Sequence, residues 1–371
     1  MRVSRSPLVF GCLLALVLTA VMSAACARPD DLSVDVIQLF QEEPVPTDVA
    51  HVEEEPPPPP AVGLLDGIPF GETDALAGAR PPVAVMIDNL PGGSRPQIGL
   101  DRADLVFELL VEGGITRFMA IYLHHDAGVI EPVRSARTPS VLFARELGAV
   151  MAHAGSAELD GDADAAQQLY DLGVPHIDYD ADRQPFWLDR RRFPPHNVAT
   201  STELIRNRAA DWGVTEPSAA ASWLFKDDHA ETNLISAAAQ HVSYNFALRV
   251  GVQPAFAGGW TYDAGSNSYR RAMAGVPHVD GLTGNQLTFK NVVLQVMPAR
   301  IASREGHVVY SQIGEGQAYV FLDGRMIDAV WSKASPEDRT RYWDRNGAEV
   351  QFNRGATWIA LIPTGSPYSW R

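Results

Sequence analysis

Arg134-Ser135-Ala136-Arg137 sets a hydroxyl between two guanidiniums, and Arg117 lies shortly upstream. Arginine forks bind phosphate or carboxylate bidentately, so this unit is a candidate for holding an anionic ligand. Carboxylates accompany it. Asp88 and Asn89 close an apolar run, while Glu108 and Glu112 stand four apart among apolar residues. Extended or helical, that spacing brings the two glutamates near each other. Such a pair suits acid/base work or a hard cation such as calcium. The competing expectation is that Glu108, Glu112 and Asp88 pair internally with the arginines and fix the strand ends. His153, before Ala154-Gly155-Ser156, and His196, in a Pro-Pro-His-Asn turn, are placed to act as general bases, or plainly to bond backbone.

No recognised catalytic signature organises these residues. Gly155-Ser156-Ala157 lacks the second glycine of a nucleophile elbow, and no P-loop or dinucleotide fingerprint is present, so no cofactor is expected. The histidines lack zinc-motif spacing, and His124-His125, adjacent on a strand, should point to opposite faces; no metal site is expected. Gly314-Glu315-Gly316 reads as a turn. Trp260, Tyr262, Tyr269, Trp331, Tyr342, Trp343 and Trp358 are either a sugar-stacking platform or core, and a β-rich region without disulfides needs them as core.

The elements that must position these groups alternate in type. Val83–Ile87, Leu105–Phe107 and Phe118–Leu123 are apolar runs expected as buried strands, the last two joined through Glu112-Gly113-Gly114. Apolar spacing predicts helices over 138–149, starting at Thr138-Pro139, over 163–172, and over 201–212 with Ser201 or Thr202 as cap; a strand resumes at 150–154. After about Val242 strands alternate with turns at 262–265, 322–325 and 345–348. The expected fold class is mixed α/β: an α/β layered domain over 62–240, then a mainly antiparallel β domain over 241–371.

The 371 residues carry a net charge of -15, much of it from acids between residues 30 and 55, which excludes a strongly basic nucleic-acid surface. The only two cysteines are Cys12 and Cys26, so no disulfide framework serves the folded part. Arg2 and Arg5 precede the apolar run Leu8–Met22, which is short for a spanning helix and of signal-peptide length. Ser23-Ala24-Ala25-Cys26 resembles a lipobox, with Ser23 where leucine is usual. Residues 1–25 are thus expected as signal peptide, with Cys26 the lipidated residue that anchors the chain to a membrane. An ordinary cleavage near Ala25 or Ala27, or an uncleaved anchor, are the other readings, and all three are extracytoplasmic. Residues 26–61, ending in three glutamates and Pro56 through Pro60, form an extended tether.

Pro82–Asn89, Arg95–Leu100, Ala103–Glu108, Val111–Phe118, Pro132–Arg137, Pro195-His196-Asn197, Trp331-Ser332-Lys333 and Gly355–Trp358 together resemble the YerB-like lipoproteins, the DUF3048 family of unknown function. The resemblance implies two adjoining domains, an N-terminal lipid signal and an extracytoplasmic place, and no reaction. Two functions follow. One is a lipoprotein that binds an anionic envelope ligand or protein partner in an Arg/Glu-lined cleft formed by Asp88, Asn89, Glu108, Glu112, Arg117, Arg134, Ser135 and Arg137. The other is an envelope hydrolase or transferase on a phosphate- or carboxylate-bearing substrate, with Glu112, His153 or His196 as the base; whether the protein is an enzyme stays open.

Overall fold

The strand Val83–Asp88 (β1) is buried along its whole length, as its unbroken apolar run requires. It lies antiparallel to Thr116–Tyr122 (β3), and that register sets Asp88 opposite Arg117. Leu105–Leu110 (β2) pairs with the other edge of β3, the two being joined by a turn in which Gly113 and Gly114 take positive φ of 69° and 75°. On its free edge β1 runs parallel to Val150–His153 (β4), which runs parallel to His176–Asp178 (β5). Crossovers between these strands carry the helices Thr138–Leu147 (α1) and Ala165–Asp171 (α2), which pack on each other. The strands Phe186–Leu188 (β6) and Val198–Thr200 (β7) form a separate hairpin, followed by helix Thr202–Asp211 (α3). Ser201 caps α3, its Oγ accepting from the Leu204 N–H at 3.2 Å.

This computed structural model describes residues 62–70, 80–158, 161–229, 236–248 and 251–371. Cys26, the apolar run before it and the tether lie outside the described residues. Pro58–Arg371 forms one compact unit. Among the described residues no helix is long and apolar enough to cross a membrane.

The later strands that build the two large sheets include Ser236–Ala238 (β8), His241–Tyr244 (β9), Gly258–Asp263 (β10), Ser268–Met273 (β11), Asn291–Met297 (β12), Gly314–Leu322 (β13), Arg325–Lys333 (β14), Arg341–Asp344 (β15), Thr357–Pro363 (β16) and Tyr368–Trp370 (β17). The main sheet has eleven strands and runs β15-β14-β13-β12-β16-β2-β3-β1-β4-β5, with β8 added to β14. It therefore crosses from one half of the sequence to the other, through the parallel pairing of β2 with β16. A second, antiparallel sheet contains β11, β10, β9 and β17 in that order. The chain is mixed α/β in class but predominantly strand, with only three α-helices of 7 to 10 residues among the described residues.

The expected turn at 322–325 is a two-residue hairpin between β13 and β14. Asp323 and Gly324 both take positive φ, 53° and 67°, as a primed turn demands. Trp260, Tyr269, Trp331, Tyr342 and Trp358 are all fully buried. These rings fill the core, while Tyr262 and Trp343 are half-buried.

Candidate functional site

The carboxyl ends of the parallel strands β1, β4 and β5 open on one side of the sheet, where ligands bind in open α/β sheets. Between β1 and β4 the backbone of residues 132–136 is threaded like an extra strand. The Arg134 N–H donates to the Met86 carbonyl at 2.9 Å, and the Ala154 N–H donates to the Arg134 carbonyl at 3.1 Å. Arg134 and Ser135 are thereby fixed at the strand ends. Beside them lies a cleft of about 520 Å³ lined by Arg134, Ser135, Ser156, Tyr179, Asp180 and Pro195. A second hollow of about 720 Å³ opens on the other side of residues 193–196 and is lined by Arg95, Glu131, Arg191, Arg192, Phe193 and His196.

Asp88 is buried behind both, touching Arg134 of the first and His196 of the second. Its Oδ2 accepts from Ser94 Oγ at 2.6 Å, lies 2.6 Å from His196 Nδ1, and forms a 3.5 Å ion pair with Arg134 Nε. Burial works to raise its pKa, but the Ser94 hydrogen bond and the Arg117 and Arg134 charges outweigh it, and the carboxyl is held below its ordinary value. Asp88 is thus an anion that orients a histidine and an arginine together. The His196 ring occupies space that only glycine leaves free: a Cβ on Gly93 would come 2.6 Å from its Cδ2.

Next to this group Glu112 is clamped. Arg137 donates to both its oxygens, at 2.8 and 2.5 Å, and Arg117 Nη2 donates at 3.1 Å. Burial opposes ionisation, yet the two arginines take Glu112 down to about 2. So low a pKa makes it a poor proton acceptor. Arg117, 5% exposed, is itself brought down to about 10 by burial and then by the nearby Arg137 charge. The Nε atoms of Arg117 and Arg134 are buried and have no hydrogen-bond partner.

Residues 70–215 match the family model described as "Protein of unknown function (DUF3048) N-terminal domain", and residues 248–359 the "DUF3048 C-terminal domain". The chain belongs to the DUF3048 family. It is similar to "Putative lipoprotein YerB" of Bacillus subtilis, at 28% identity over 296 residues, spanning 79% of this chain and 84% of that one. It is likewise similar to the crystal structure of the B. subtilis YerB protein, with a TM-score of 0.70 and 26% identity over 83% of this chain and 99% of that one.

Within this DUF3048 protein the remaining sequence candidates are placed differently. Glu108 and Glu112 do not converge, because Glu108 ends up inside the sheet while Glu112 sits in the turn beyond β2. Glu108, wholly buried, accepts from Arg271 Nη2 at 2.8 Å, Tyr244 OH at 2.7 Å and Trp358 Nε1 at 3.2 Å. Asn89 is equally buried and donates to Thr116 Oγ1 at 2.7 Å. Both stand behind the cleft and not on its wall. They belong to a buried chain that runs Glu108–Arg271–His278–Gln97–Asn89 and ties the N-terminal match to the C-terminal one. Arg271 also stacks over Trp358, its Cζ 4.1 Å from the ring centroid. The sequence held a signal for this residue: Tyr269, Arg271 and Met273 alternate on one strand face, so Arg271 shares the apolar side.

His153 is wholly buried. Its Nδ1 lies 2.9 Å from the Gly155 carbonyl, which can only accept, so Nδ1 carries the proton and Nε2 accepts from His176 Nδ1 at 3.0 Å. Burial takes its pKa down to about 4. With both ring nitrogens engaged, His153 is not available as a base to a ligand. Ser156 lines the cleft. His124 and His125 correct the expectation of opposite faces: both follow the end of β3, and their rings stack 5.0 Å apart. His125 Nδ1 meets Asp104 Oδ1 at 2.5 Å and His124 Nδ1 meets Asp66 Oδ2 at 2.9 Å. Asp66, Asp104 and His125 form a compact group away from the cleft.

Proposed function

We propose that the protein is an extracytoplasmic lipoprotein, anchored to a membrane through Cys26, that binds an anionic ligand of the cell envelope in the cleft at Arg134. The observation that carries this reading is an excess of positive charge. Among the described residues Arg117, Arg134 and Arg137 form ion pairs only with Asp88 and Glu112, while Asp180 lines the cleft unpaired with them, and two buried guanidinium nitrogens go without a hydrogen-bond partner. A buried donor left unpaired costs about 1–3 kcal/mol, and a phosphate or carboxylate bound at Arg134 would recover that cost for Arg134 alone. Arg134, at the open edge of the cleft, makes the contact, and Ser135 and Ser156 beside it supply hydroxyl donors. Arg117 and Arg137 set the potential from behind. The lipid anchor rests on Cys26 and on the name carried by the B. subtilis relative.

The test is thermal shift with inorganic phosphate and a dicarboxylate. Stabilisation that rises with anion concentration and vanishes in Arg134→Ala supports the cleft, whereas stabilisation that survives that substitution removes it. One observation favours the enzymatic reading, in which an anionic substrate is hydrolysed or transferred in the second hollow, which His196 lines. Asp88 holds His196 by Nδ1, the arrangement that frees Nε2 as a base, and of the three candidate bases only His196 is neither clamped nor fully hydrogen-bonded. Turnover of an envelope substrate that is lost in His196→Gln and retained in His153→Gln would establish it.

A further inference from the structure

The hairpin of β6 and β7 carries at its tip a composition unlike the rest of this acidic protein. Residues 187–195 read Trp-Leu-Asp-Arg-Arg-Arg-Phe-Pro-Pro. Phe193 is 84% exposed and Leu188 51%, with Trp187 partly exposed beside them. Arg190, Pro194 and Pro195 are exposed too, and the Arg191 side chain keeps 74% of its surface. Such apolar groups, rimmed by arginines, mark a contact surface.

The tip is not loose. Arg192 Nε donates to Glu131 Oε1 at 3.0 Å, and its other nitrogens donate to the carbonyls of Gly93, Ser94 and Pro96. Asp189 turns inward and accepts from the Arg191 backbone N–H at 2.9 Å. The fold thus spends one arginine and one aspartate on holding a loop whose large apolar side chains it does not cover.

We propose that this tip docks onto an anionic lipid surface, with Leu188 and Phe193 seated at headgroup depth and Arg190 and Arg191 against the phosphates. Charge complementarity selects this occupant. The chain as a whole is at -15 and is repelled by an anionic bilayer, so the exposed Arg190 and Arg191 at one apolar tip, the latter also meeting Asp189 at 3.0 Å, decide which face approaches. Apolar rings flanked by arginine are also the composition of surfaces that lie in a membrane interface. The tip walls both hollows, through Leu188, Pro194 and Pro195 on one side and Arg191, Arg192 and Phe193 on the other. Docking would therefore set the mouths of both at headgroup level. The inference does not depend on the anion-binding role of Arg134.

The test uses the compact unit Pro58–Arg371, which lacks Cys26 and the apolar leader, sedimented with phosphatidylcholine vesicles with and without phosphatidylglycerol. The expected result is binding to the phosphatidylglycerol vesicles that falls steeply with salt. Arg190→Gln should weaken it about fivefold, the usual weight of one basic side chain at such a surface, and Phe193→Ser by at least as much. Both residues are exposed, so both variants should fold. Arg134→Ala should bind vesicles as the parent does, which separates this inference from the anion cleft. Failure to bind phosphatidylglycerol vesicles overturns the proposal, as does binding that survives both tip substitutions. Self-association through the tip without vesicle binding would assign the surface to protein and overturn it as well.

Discussion

Replacing Arg271 by methionine probes the joint between the two DUF3048 matches. The guanidinium and Glu108 are both wholly buried and 2.8 Å apart. Methionine keeps most of the volume but removes the donors to Glu108, Tyr244 and His278 and the cation over Trp358. Glu108 would remain in the core with only the neutral donors Tyr244 and Trp358 and, at 3.5 Å, Thr116. Breaking a buried pair by removing one partner costs about 3–5 kcal/mol, mostly for the charge left behind. With an m-value of about 3 kcal/mol/M in urea, the unfolding midpoint should fall by about 1–1.7 M. If the stranded charge is the cause, adding Glu108→Gln should recover part of the loss although it removes a second polar group. Urea denaturation followed by tryptophan fluorescence measures both. A midpoint shift under about 0.3 M for Arg271→Met, or a double variant as unstable as the sum of the singles, would refute the reasoning.

Two further outcomes are expected. His153 has its folded pKa lowered to about 4 by burial, below its unfolded value of about 6.5, so the unfolded chain binds the proton first as pH falls. Its contribution is present above about pH 6.5 and lost on acidification towards pH 4, by up to about 3 kcal/mol; melting scans across that window should show a shallower acid limb in His153→Gln than in the parent. Labelled palmitate should follow the parent chain in cells and be absent from Cys26→Ser, and label that persists would overturn the lipid assignment.

Where chemistry depends on local chain, it was legible. The apolar runs of β1 to β4, the Ser201 cap of α3 and the Asp323-Gly324 turn follow from propensity and turn geometry within a few residues. The Arg134-Ser135-Ala136-Arg137 unit was visible for the same reason. Glu108 and Glu112 were misjudged as a pair because the spacing argument assumed one continuous element, and the chain instead leaves β2 at Leu110 and turns at Gly113. His124 and His125 stack because β3 ends at Tyr122, so strand alternation no longer applies to them.

By itself the sequence determined the family, the strand-forming segments and the residue types able to meet an anion. Only the tertiary structure decided which of those residues share a site. His196 reaches Asp88 across 108 positions, Arg271 reaches Glu108 across 163, and β2 finds β16 as its parallel neighbour in a sheet that spans both halves of the chain. The physical reason is that pairing and burial are non-local: alternation says which face a side chain takes, but what covers that face, and whether a charge there is clamped, buried or open to a ligand, depends on strands far away in sequence.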